Sequence, residues 1–396
     1  MSAVADKYAN KFLDAVGVKY LWDKAEGIYV KKEEGKTLSD ENFTTEEKEK
    51  LASLTAYELP NASPEVLGGV KIGVGLAIDE NGVVSATGEA IADVDALSFI
   101  DLDVITKSPR TEESLIASLA EGGDITLMND VVVSQTISIT ENVTLDLNGH
   151  MLTADFSGYM FVVDAVKFTI MNGHVNSEHR IAEVLNGGTI TVINGEYTSK
   201  DVSFASVGVN SRVEINGGEV TSNTSCIGVF GGAMLLVRGG VITSTDNYAI
   251  YTSHSDAYGL NNIAISGGTI VCQTNTAGKA SCGVLIANKD NFLMIGGEII
   301  STNGCGLLMR SGSATIKNGS ISAYGSDNGL VGDVAEEMSN SAIIFHQTTN
   351  YPNKSSMRLT IEGGTFTGTD HSIEILSDES TPQVTVTGGN FIPEYL

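Results

Sequence analysis

Aromatic residues make up only 6% of this 396-residue chain and tryptophan occurs once, so no large aromatic core organises it. Proline is nearly as scarce, with 6 residues against 44 glycines. That balance fits many short strands joined by tight turns. Four cysteines in so long a chain cannot form a disulfide framework, and no Cys-x-x-Cys or Cys/His finger spacing occurs. Cations are outnumbered, 23 Lys and Arg against 49 Asp and Glu, for a formal charge of −26. A field of that sign repels phosphate, which argues against nucleic-acid and anionic-membrane partners and favours solubility. No run of about 20 apolar residues is present to span a membrane. The opening MSAVADKYANKF carries no basic, apolar leader, so synthesis in the cytoplasm without a signal peptide is expected.

The chain divides into four segments. Tyr8, Phe12, Val16 and Tyr20 recur at helical spacing, so residues 1–35 are read as an N-terminal amphipathic helix whose apolar stripe needs a partner. Residues 36–90 hold a short helix, TEEKEKLASL, opened by a capping box at Thr44 and Glu47, then a hairpin turning at Asn81-Gly82. Residues 91–123 are an acidic linker and then a helix, TEESLIASLAEGG, that ends at Gly122 and is placed to cap the fourth segment.

That segment, residues 124–396, is repetitive. LDLNGHML, IMNGHVNS, VINGEYTS, INGGEVTS, VRGGVITS, ISGGTIVC, IGGEIIST, IKNGSISA, IEGGTFTG and VTGGNFIP each read as strand, glycine turn, strand. Their first glycines, from Gly149 to Gly388, lie 24, 22, 22, 22, 28, 29, 23, 44 and 25 residues apart. A second apolar strand comes after each turn unit. Units of this size cannot bury an apolar face alone but can do so when stacked, so the expected fold is mainly β, a parallel β-helix of about 22 residues per coil. Right-handed winding is the rule for parallel crossovers. Asn148, Asn172, Asn194, Asn216 and Asn318 are placed for an amide ladder beside the turns.

Aligning the second strands as YMFVV, IAEVL, FASVG, CIGVF, YAIYT, CGVLI, CGLLM, SAIIF and HSIEI puts their fourth positions on the outer face. That column reads Val162, Val184, Val207, Val229, Tyr251, Leu285, Leu308, Ile344 and Glu374. An exposed apolar ladder marks a partner. It implies a homotrimer about a threefold axis, unless the pleat is inverted or loops cover the face. Cys226, Cys282 and Cys305 fall at the first position of this strand, as an inward stack of small side chains would. His150, His174 and Glu196 come just after successive turns; stacked turn histidines are ordinarily solvent-exposed, and neither a metal nor a cofactor is expected.

For catalysis the candidates are Asp164 and Glu183 on adjacent coils, beside Glu178, His179 and Arg180, as acid and base or nucleophile. With 49 acidic residues such pairs also arise by chance. Insertions at about 252–262, 273–281, 324–340 and 346–357 bulge from the distal coils. Tyr258, Tyr324, Tyr351, His254 and His346, in or beside them, are candidates to stack on sugar rings.

Residues 36–88, with LSDENFTTEEKEKLASL and ASPEVLGGVKIGVGLAIDENGVVSATG, resemble a module near the N-terminus of bacteriophage and prophage tail proteins. From LAEGGDITLMNDVVVSQTISITENVTLDLNG onward the chain resembles the pectate-lyase-like right-handed β-helix superfamily. Together these resemblances imply a tail fibre or tailspike in the virion. Its N-terminus would attach to a tail or baseplate protein, and its trimeric shaft would recognise a bacterial surface polysaccharide. Ending at GGNFIPEYL, directly after a repeat glycine pair, the chain is read as lacking the separate C-terminal domain of many tailspikes. No catalytic motif of a depolymerising tailspike can be placed residue by residue. A non-enzymatic receptor-binding fibre is therefore the leading expectation, a glycan hydrolase or lyase the second, and a structural virion protein or bacterial adhesin the third.

Overall fold

The computed structural model describes residues 107–253, 259–274, 278–325, 330–331, 337–347, 357–377 and 383–393, the strands Leu76–Ile78 and Val84–Ala86, and helical positions Glu46, Glu49, Lys50 and Ser53. The chain divides into two units, residues 1–99 and 100–396. In the first, the two short strands pair antiparallel with Ile78 opposite Val84; the turn expected at Asn81-Gly82 lies outside the described residues. The helix expected over 1–35 and the capping box at Thr44 lie outside the described residues.

The second unit is a parallel β-helix of three sheets. Each coil gives one strand to each sheet, as Lys167–Met171, His174–Ser177 and Arg180–Leu185 do. Among the described residues the first and second sheets have eleven strands and the third has ten, each strand between the ends paired to the coils on both sides. The first sheet shows why these sequences make strands. Phe168 and Ile170, Ile190 and Val192, Val213 and Ile215, then Leu235 and Val237 alternate with outward-facing neighbours and stack in register. All are buried in one continuous core. β-Branched and aromatic side chains fill such columns well at the strand spacing of about 4.8 Å.

The glycine pairs turn the chain from the first sheet to the second, and their two members are required for different reasons. A Cβ on Gly239 would stand 2.5 Å from the Asn216 carbonyl oxygen of the preceding coil. Gly240 has φ +82° and the same 2.5 Å approach to the Gly218 oxygen. At the next corner a serine column recurs: Ser177, Ser199, Ser222, Ser244, Cys272 and Ser301 stack in register and are buried. Their side chains donate to carbonyls of the turn, as Ser177 Oγ does to Arg180 O at 2.9 Å. These bonds satisfy backbone acceptors that burial would otherwise leave without water.

The expected cap is helix α1, Glu112–Glu121, opened by Thr111, whose Oγ1 accepts from Ser114 N while Ser114 Oγ accepts from Thr111 N. Leu115 and Leu119 extend from it into the core, closing the end of the solenoid where the first coil has no preceding neighbour. Among the described residues no helix is long and apolar enough to cross a membrane.

Candidate functional site

The chemistry gathers on the outer face of the third sheet, and hydrogen-bond register corrects the outward column there. Opposite Val162 stand Glu183, Ala205, Gly228, Tyr251, Leu285, Leu308, Ile344 and Glu374 in turn. Val184 and Val229 lie one residue further along and are core residues, both 0% exposed. Val207 lies two further along, opposite Phe230. With a side-chain period of two, a slip of one residue turns a side chain from the solvent face to the core. In place of valines the proximal column therefore presents a carboxylate and two small residues.

The distal column is apolar but closed over. Leu285, Leu308 and Ile344 are 4%, 0% and 2% exposed. They form a second cluster, separate from the main core, with Ala280, Cys282, Ala287, Cys305 and Met338. Met338 belongs to the 324–340 insertion, where Glu337–Met338 pairs antiparallel with Leu330–Val331. Ala280 comes from the 273–281 insertion. Ala280 and Met338 of the chain's own insertions thus pack with Leu285, Leu308 and Ile344, three of the residues expected to meet other subunits. Cys282 and Cys305 pair in this outer cluster rather than inward, whereas Cys226, one residue out of step with them, is in the main core.

On the proximal coils the small residues leave room for large ones to lie across the sheet. A Cβ at Gly228 would meet the Phe230 ring at 2.6 Å and Tyr251 Cζ at 3.2 Å. Tyr251 packs edge-on against Phe230 at 5.3 Å between centroids and lies 6.4 Å from Tyr248. Arg180 sits 5.3 Å over the Tyr159 ring, in the strand paired with its own, and its Nε is 3.6 Å from Asp201 Oδ2. The guanidinium is thereby held between a π-face and a carboxylate. Burial pushes the Tyr159 phenol up to about 12, with Arg180 pulling against it. Burial also raises the Tyr251 phenol and the Glu183 carboxyl, again opposed by Arg180. A carboxyl raised this way keeps its proton to higher pH than an exposed one.

Asp164 lies on the same face as Glu183, opposite Leu185 rather than opposite Glu183. Strand spacing and rise put their Cα atoms about 8 Å apart on the diagonal. Asp164 is exposed and accepts from Asn186 Nδ2 at 2.7 Å. Glu178 points to Lys200 and forms an ion pair.

The other expected positions are scattered. His174 Nδ1 is 3.1 Å from Glu196, but His150, aligned with it by motif, stands one position earlier and faces Asp130 at 3.4 Å. Among the described residues no group of three or more His, Cys, Asp or Glu is placed to hold a metal. The amide ladder is short: Asn194 Nδ2 donates to Asn172 Oδ1 at 2.9 Å and Asn172 Nδ2 to Asp146 Oδ1 at 3.1 Å. Asn216 instead accepts from Arg238. Tyr324 is 49% exposed just past Ser320–Ala323 of the second sheet. His346 is in the third sheet, with Nδ1 2.7 Å from Nη1 of the buried Arg310. Tyr258, Tyr351 and His254 lie outside the described residues.

Fold and site together define a class: a three-sheet parallel β-helix carrying an aromatic, arginine and carboxylate patch on one outer face. No protein-family model matches the chain, and no curated protein or solved structure matches it.

Proposed function

We propose that the chain is a saccharide-binding β-helix, the receptor-binding part of a phage or prophage tail protein, and that it holds a bacterial surface glycan on the outer face of its third sheet. The carrying observation is the Tyr159, Arg180 and Tyr251 assembly, which combines partly buried rings, phenol hydroxyls and a fixed guanidinium beside Glu183 and Asp201. Rings supply apolar faces for sugar C–H groups, and the flanking carboxylates accept sugar hydroxyls. The tail context rests on the resemblance of residues 36–88. The test is binding of the purified chain to surface glycan from candidate host cells, with Tyr159→Ala/Tyr251→Ala compared by calorimetry. If each ring contributes about 1 kcal/mol, binding weakens by roughly 30-fold. Unchanged affinity in a folded double variant refutes the site.

A second reading, cleavage of that glycan, is favoured by the raised Glu183 carboxyl alongside exposed Asp164. It requires new reducing ends or unsaturated products from a glycan that binds, and their loss in Glu183→Gln.

A further inference from the structure

We propose that Cys282 and Cys305 are the site of a disulfide that staples two adjacent coils. They stand directly opposite each other in the paired strands Ser281–Ile286 and Gly304–Met309. Both are fully buried, and their sulphurs are 2.9 Å apart. Non-bonded heavy atoms settle at about 3.5–4.0 Å, so these two are already pressed together. In-register parallel neighbours are about 4.8 Å apart at Cα, within the roughly 4.4–6.8 Å that a disulfide spans. Closing the bond at about 2.05 Å draws the sulphurs together by about 0.9 Å and needs no large backbone shift.

The other two thiols are directed elsewhere. Cys226 Sγ donates to Thr243 O at 3.1 Å, and Cys272 Sγ donates to Asn247 O in the serine column. Selectivity for the outer pair is therefore built into the register.

The oxidant is a small organic disulfide such as oxidised glutathione. One cysteine thiolate attacks it, forming a mixed disulfide and releasing one glutathione. The second thiolate then displaces the other glutathione. Two cysteine thiols are oxidised, one glutathione disulfide is reduced to two thiols, and the two protons pass to the departing thiolates. Because Met338 and Ala280 pack in the same cluster, exchange takes place before the insertions close over the pair, or while they open. The bond then fixes the coil that the 273–281 insertion enters to the coil from which the 324–340 insertion leaves. It is independent of what the face binds.

The test uses the full wild-type chain, purified reduced and then refolded in oxidised glutathione. Thiols counted after denaturation fall from four to two. The intact chain becomes lighter by two hydrogens, and peptide mapping places the link between Cys282 and Cys305. The unfolding temperature rises, reductant reverses the rise, and Cys305→Ser shows none. Four remaining thiols, persistent glutathione adducts at either cysteine, or a link mapped to Cys226 or Cys272 each overturn the proposal. The mapping needs no variant, so the outcome stands even if Cys305→Ser folds poorly.

Discussion

Replacing Leu308 with alanine separates a face covered by its own chain from a face covered by neighbouring subunits. Leu308 is 0% exposed and packs in a cluster with Leu285, Ile344, Ala280 and Met338. Burying a leucine is worth about 1.5–3 kcal/mol by transfer, and the cavity left by truncation adds to that, so Leu→Ala at buried sites costs about 2–5 kcal/mol. This cluster is small, and part of its cover comes from insertions that can settle into the gap, which places the expected cost near 3 kcal/mol. Urea unfolding monitored by circular dichroism, at two protein concentrations well separated, measures it. The wild-type to variant difference should be the same at both concentrations, and sedimentation of the folded variant should match the wild type. A difference that appears only on dilution, or a variant of unchanged stability that sediments as a smaller species, would refute intramolecular burial. Either result would return this face to a subunit contact.

Two further predictions concern the coil corners. Asp290 is fully buried; its Oδ1 accepts from Asn261 N and Nδ2 at 2.9 and 3.0 Å, and burial raises its carboxyl above the ordinary 3.8. Between that value and the raised folded one, the native chain keeps a proton that the unfolded chain releases, so stability falls as pH rises through the window. Asp290→Asn keeps an acceptor for Asn261 and should remove that slope in urea midpoints measured across acidic pH; an unchanged slope would assign it to another group. Gly240→Ala combines a forbidden φ of +82° with a Cβ 2.5 Å from the Gly218 oxygen. It should cost at least about 2 kcal/mol by the same assay, whereas alanine at Gly149, with nothing within 4 Å of its Cβ, meets only the conformational cost at its φ of +79°.

The fold is legible in the sequence because the repeat carries its own punctuation. Asn-Gly and Gly-Gly mark the first corner, and strands such as Phe168–Ile170 alternate cleanly on either side. The outer face of the third sheet is legible only in part. Aligning the second strands by apolar likeness puts Tyr251, Leu285, Leu308 and Ile344 in the right column, but it sets Val184 and Val229 outward through the strings IAEVL and CIGVF. The missing ruler is the serine column. Counting three residues on from Ser177 and Ser222 reaches Arg180 and Ser225, one residue before the starts of those two strings. That count turns Glu183 outward and leaves the valines inside. Polar residues in a repeat can fix register where apolar ones, tolerated on both faces, do not.

The insertions and the apolar ladder are two separate signals in the sequence, one read as recognition loops and the other as a subunit contact. In three dimensions each accounts for the other over the distal coils. The column is apolar at Leu285, Leu308 and Ile344, where the 273–281 insertion supplies Ala280 and the 324–340 insertion supplies Met338. It is short, small or polar before that, at Glu183, Ala205 and Gly228, where no insertion intervenes and aromatic rings lie on the sheet instead. Sequence order hides this because Met338 is 30 residues from Leu308, and no local pattern announces which face a loop will fold over. Among the described residues, two of the distal insertions contribute Ala280 and Met338 to the cover of a hydrophobic strip, while the coils around Arg180 carry a half-buried aromatic and charged patch, and it is there that the proposed glycan site is tested first.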